Sequence, residues 1–142
     1  MSSRMSRLFE QGMPSAQQPA GNGLEALVSL AQGIFYLLTG VWPLVSMRSF
    51  EMVTGPKTDR WLVKTAGVVI AAVGAALTMA GARRAVADET RVLAVGSALG
   101  LTGIDVVYVR RGRISKVYLL DAIAELALVA GWLLAWLRGR PR

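Results

Sequence analysis

Four stretches of the chain stay apolar for long enough to cross a membrane, and short polar or charged segments separate them. A hydrocarbon core of about 30 Å takes roughly 20 helical residues. The first stretch runs over about 24–47, with Glu25 at its entry and Pro43 near its exit; the others run over 61–81, 92–109 and 117–137. No segment shows the period-two alternation of a membrane strand. Connections this short make successive helices antiparallel neighbours. The pattern therefore predicts an all-α integral membrane protein, an up-down four-helix bundle.

Outside this 24–137 transmembrane domain, residues 1–23 read as a flexible polar N-terminal tail and 138–142 as a basic C-terminal tail. Residues 6–11 have the composition of a short interfacial helix, and 17–23 that of a linker. Arg4 and Arg7 ahead of an apolar run also suit a signal peptide. That run is too long for a signal's apolar region and starts too late, so an uncleaved span is expected.

Composition agrees with the pattern. Hydrophobic residues make up 54% of the chain and charged ones 18%, with a mean hydropathy of +0.46. There is no cysteine and no histidine. Disulfides, thiolate nucleophiles, Cys/His zinc sites and imidazole acid–base chemistry are thereby removed. No cofactor and no metal is implied.

The net charge of +7 would suggest a nucleic-acid partner on a soluble chain. Here the basic residues divide evenly. Arg4, Arg7, Arg83, Arg84, Arg91, Arg138, Arg140 and Arg142 fall on the side of the termini. Arg48, Lys57, Arg60, Lys64, Arg110, Arg111, Arg113 and Lys116 fall on the other. A surplus spread over both faces fits anionic headgroups, so the expected partner is the lipid bilayer and no nucleic acid. The tie leaves orientation open: the dense 110–116 turn would be cytoplasmic by one weighting, the two tails by the other.

The most informative stretch is 103–126, which is nearly mirror-symmetric about Arg113. Asp105 and Asp121 lie eight residues either side, Tyr108 and Tyr118 five, Arg110 and Lys116 three. In a helical hairpin, equal distance from the turn means equal depth, so the two aspartates are expected at one level, about 8–10 Å below the turn. Glu125 shares a face with Asp121 and sits near mid-span, the costliest depth for a carboxylate. Asp105, Tyr108, Tyr118, Asp121, Glu125 and Lys64 form the candidate polar membrane site. Glu51, Lys57, Asp59, Arg60, Arg110, Arg111, Arg113 and Lys116 form a charged loop face on the same side. The bland alternative is that the aspartates pair with Lys64, Arg110 or Lys116 and staple helices together.

Gly96, Gly100 and Gly103 make a smooth stripe on the third span, suited to close helix packing within the bundle or to a homo-oligomer or larger complex. Trp42, Trp61, Trp132 and Trp136 sit near span ends and are expected to anchor depth. The Thr54-Gly55-Pro56-Lys57 turn lacks the spacing of a phosphate-binding loop.

The string from Phe50 to Thr65 resembles a family of small bacterial four-span membrane proteins with the pattern F-E-x-V-T-G-P-K-x-D-x-W-L-V-x-T. A later D-x-x-Y and Y-L-x-D-A-x-x-E match Asp105 to Tyr108 and Tyr118 to Glu125. The likeness covers about residues 28–137. It implies a multi-pass protein of the bacterial cytoplasmic (inner) membrane and supplies no mechanism, because no activity attaches to the family.

The leading expectation is a binding or accessory subunit of a membrane complex, engaging its partner through the charged loop face. The alternative is a proton-coupled carrier or a hydrophobic-ligand or lipid-binding protein that uses the membrane-embedded carboxylates. Catalysis is disfavoured, since no nucleophile or metal motif accompanies the acids, and no catalytic residue is assigned.

Overall fold

The computed structural model describes residues 23–140, and among them the chain forms five helices: α1 (Gly23–Val45), α2 (Met47–Thr54), α3 (Arg60–Ala82), α4 (Asp88–Arg110) and α5 (Tyr118–Gly139). Four of these are long and apolar enough to cross a membrane. The fold is thus the expected helical bundle. The expected interfacial helix at 6–11 and most of the two tails lie outside the described residues.

Local chemistry sets the boundaries. Pro43 lies in the last turn of α1 and offers no N–H to the Thr39 carbonyl, so the helix ends two residues later. The first span is accordingly shorter than 24–47. Ser46 then caps a helix within the expected first loop: its hydroxyl accepts from the Ser49 N–H at 3.3 Å. This α2 closes when the Gly55 N–H reaches the Glu51 carbonyl at 2.8 Å. At the other end of the bundle Asp88 and Glu89 occupy the first turn of α4, where acidic side chains oppose the helix dipole.

Both sharp helix exits use the same device. After α4, the Gly112 N–H bonds the Val109 carbonyl and the Arg113 N–H bonds that of Tyr108, with Gly112 at φ +65°. After α3, Arg84 and Ala85 repeat these bonds to Gly81 and Ala80, but Arg84 holds the left-handed position, at φ +52°. That pattern usually takes glycine there.

The tightest packing joins α1 to α3. A Cβ at Gly40 would sit 2.6 Å from the Ala71 nitrogen and the Gly67 carbonyl oxygen, and one at Gly74 would meet the Leu37 nitrogen at 2.7 Å. Only hydrogen fits between these backbones. Gly67, Gly74 and Gly81 recur every seven residues on α3, a spacing that keeps them on one seam at a small crossing angle. The glycine stripe expected to pack is elsewhere: around Gly96, Gly100 and Gly103 there is nothing within 4 Å of where a Cβ would stand. Those three face away from the bundle, so packing within the chain is not their role.

α1 is the central helix. In its most apolar window 44% of residues are buried, against 17% in α3 and in α4. Leu38, Val45, Leu120 and Ile123 point outward and are well exposed. Contiguous apolar surface of this extent suits lipid as the solvent. α4 packs chiefly on α5, while α3 and α5 hardly touch.

Candidate functional site

A polar line runs along the buried face of α1. Glu25, Ser29, Gln32, Tyr36 and Thr39 succeed one another at steps of four and three residues, which keeps them on one side of the helix. The Ser29 hydroxyl donates to the Leu77 carbonyl on α3 at 2.8 Å. The Gln32 amide donates to the Ala94 carbonyl on α4 at 2.8 Å and accepts from the Trp132 indole N–H on α5 at 2.7 Å. The Tyr36 hydroxyl donates to Glu125 Oε2 on α5 at 2.8 Å. One helix thus addresses each of the other three spans through hydrogen bonds shielded from water, where an unmade bond is costly.

At the terminal end of this line the Arg91 guanidinium forks onto Glu25, at 3.0 and 2.8 Å, and also pairs with Asp88. Sequence reasoning placed Arg91 among headgroup-facing basics and Trp132 in an interfacial belt. Both are instead engaged inward, and Trp132 is buried. The 4-3-4-3 spacing of polar residues within an apolar run was the signal that could have revealed Ser29, Gln32 and Tyr36.

On the loop side of Tyr36 lies a cavity of about 470 Å³, in the size range of small-molecule sites. It fills the gap where α3 and α5 fail to pack. Phe35, Trp42, Phe50 and Ile70 contribute to its apolar wall, and Asp105, Asp121 and Glu125 are its acidic groups. α2 contributes Phe50, Val53 and Thr54, so this short helix roofs the cavity. Trp42 steadies it, meeting Phe50 edge to face at 5.6 Å and donating to the Ser49 hydroxyl at 2.8 Å.

The mirror-related aspartates do meet. Asp105 on α4 and Asp121 on α5 line the same cavity, within reach of a side-chain hydrogen bond. Asp105 is 5% exposed, and its Oδ2 has no hydrogen-bond partner among the described residues. The three ion pairs among those residues join Arg60 to Glu51 and Arg91 to Glu25 and Asp88, so none links Asp105, Asp121 or Glu125 to Lys64, Arg110 or Lys116. The stapling alternative therefore has no counterpart in the fold.

The remaining candidates separate. Tyr118 lines the cavity. Tyr108 is exposed with the Arg111 guanidinium 5.9 Å from its ring centroid, and Lys64 is exposed; neither reaches the acids. On the loop face, Arg60 holds Glu51 through two bonds of 3.0 and 2.7 Å, which keeps that carboxyl below its ordinary range. The Lys57 ammonium reaches the Thr54 carbonyl at 3.1 Å and lies 4.9 Å from the centre of the Tyr118 ring. Asp59 precedes α3 without a side-chain capping bond. Arg110, Arg111, Arg113 and Lys116 surround the opposite turn and are exposed.

Among the described residues no three acids are grouped so as to hold a metal ion. The chain matches no protein-family model, no curated protein and no solved structure.

Proposed function

We propose that this protein binds a hydrophobic ligand inside the membrane, in the cavity between α3 and α5, and that its setting is the bacterial inner membrane. The observation carrying this reading is a 470 Å³ apolar chamber with Asp105, Asp121 and Glu125 in its lining. Buried acids within a span mark ligand, ion or proton sites more often than packing. The balance accordingly moves from the charged loop face to the interior.

The test is saturable binding of 12-bromododecanol to the protein in phosphatidylcholine nanodiscs, read by heavy-atom quenching of tryptophan fluorescence. Trp42 lines the cavity, so a bound bromine quenches it. Ala124→Phe, which fills the chamber from α5, should abolish the saturable component. Quenching that rises linearly with probe, in both proteins alike, is mere partitioning and ends the proposal.

A second reading, an accessory subunit, is favoured by the outward glycine face of α4. Because the chain has no cysteine, Gly100→Cys gives a single reporter thiol. Oxidative crosslinking in native membranes should trap a homodimer or a stoichiometric partner; an exclusively monomeric product rejects this reading.

A further inference from the structure

The apolar walls of the cavity cannot by themselves select a ligand. An alkyl chain that enters from the bilayer leaves surroundings as apolar as the walls it meets, so hydrophobic burial favours neither state. What sets the chamber apart from the surrounding lipid is its acidic lining. There, Asp105 and Glu125 are buried, and each buried acceptor without a donor is costly.

Among the described residues the lining has acceptors to spare and no cation to meet them. Asp105 Oδ2 is buried and meets no N–H donor among the described residues, and it belongs to a residue that lines the cavity. Asp121, lying against it, is another carboxyl: the two can share a proton, but the pair then still carries a negative charge and brings no cation. Glu125 accepts from Tyr36 on Oε2. No Lys or Arg among the described residues lines the cavity. Lys57, whose ammonium rests on two lining residues, is engaged by the Thr54 carbonyl and the Tyr118 ring and not by the acids.

We propose that the ligand is a single-chain amphiphile with a primary ammonium head, its N–H groups directed at the Asp105 and Asp121 pair on the acidic side of the cavity that Glu125 also lines, and its chain along the wall formed by Phe35 and Ile70. This rests on the reading of the cavity as a ligand site and names its ligand class. A protonated amine supplies both things the acids lack, positive charge and N–H donors. A quaternary ammonium supplies charge alone. An alcohol supplies one neutral donor, and a fatty carboxylate adds a like charge.

The experiment compares dodecylamine, dodecyltrimethylammonium and dodecanol as competitors of 12-bromododecanol on the full chain in phosphatidylcholine nanodiscs. Dodecylamine should compete at least tenfold better than either of the others. Asp105→Asn and Asp121→Asn should each erase that preference, so that dodecylamine competes no better than dodecanol does in the same variant. Should Asp105→Asn fail to fold, the half-buried Asp121 carries the test alone. Equal competition by all three compounds, or an amine preference that survives both substitutions, overturns the ammonium assignment and leaves the ligand site standing. Absence of any saturable bromododecanol binding removes the site itself.

Discussion

Tyr36 and Glu125 lie 89 residues apart in sequence and are joined by a 2.8 Å hydrogen bond, phenol to carboxylate, between α1 and α5. The bond ties the central helix to the one that carries two of the three intramembrane acids. Tyr36→Phe should destabilise the bundle by about 1 kcal/mol, within the measured span for buried bonds between membrane helices. A double-mutant cycle with Glu125→Leu, which removes the acceptor, followed by unfolding in bicelles, should return a coupling of roughly 0.6–1.7 kcal/mol. Additive losses would show that the two residues act independently.

The two sets of glycines should respond in opposite ways. Gly40→Val places methyl groups where backbone atoms already stand 2.6 Å from the first carbon, so α1 and α3 must separate. Overpacking of this sort costs about 1–3 kcal/mol or more. Gly100→Val enters open space and should leave the melting temperature of the monomer unchanged. Similar melting shifts in the two variants would contradict the packing described for the α1–α3 seam.

Arg84 offers a gain in stability. A left-handed backbone costs an ordinary residue about 1–2 kcal/mol and costs glycine nothing comparable. Arg84→Gly should therefore raise stability by roughly 0.5–1 kcal/mol, after the greater freedom of glycine in the unfolded chain is counted. Equilibrium unfolding in detergent–lipid mixtures measures it, and a loss would mean that the arginine side chain contributes more than its backbone costs.

The α2 region should loosen in acid. The Arg60 fork, helped by the Lys57 N–H at 3.2 Å, holds Glu51 below its ordinary value of 4.5. A carboxyl whose folded value is lowered stabilises fully above the unfolded value, and that contribution is lost as the pH falls through the folded one. A spin label at the exposed position of Thr58 should become more mobile below about pH 4.5. Arg60→Met should show the mobile spectrum already at neutral pH, with little further change on acidification.

The spans, their order and the meeting of Asp105 with Asp121 were legible because each follows from a local regularity: length for the helices, equal distance from a tight turn for the aspartates. Tyr36 and Gln32 were not legible in that way. A hydroxyl and an amide inside an apolar run barely lower its hydropathy, and their partners Glu125 and Trp132 lie 89 and 100 residues away. The glycines divide similarly. The stripe at Gly96, Gly100 and Gly103 and the seam at Gly67, Gly74 and Gly81 have the same smoothness in sequence. Which one meets a neighbour depends on how α3 and α4 are rotated, and that is set by the whole bundle.

The glycine seam between α1 and α3 also bears on how the cavity can change size. Backbones in direct contact have no layer of side chains that could shift rotamer to yield space, so this pair behaves as a stiff jaw. The facing pair, α4 with α5, meets α3 through few contacts and is held to α1 by the bonds of Glu25, Gln32 and Tyr36, so any opening pivots about that bonded line. On the proposed ligand-binding reading, a bulkier guest is accommodated by opening the gap between α3 and α5. The girth of the proposed ligand, more than its length, would then set the elastic cost of binding.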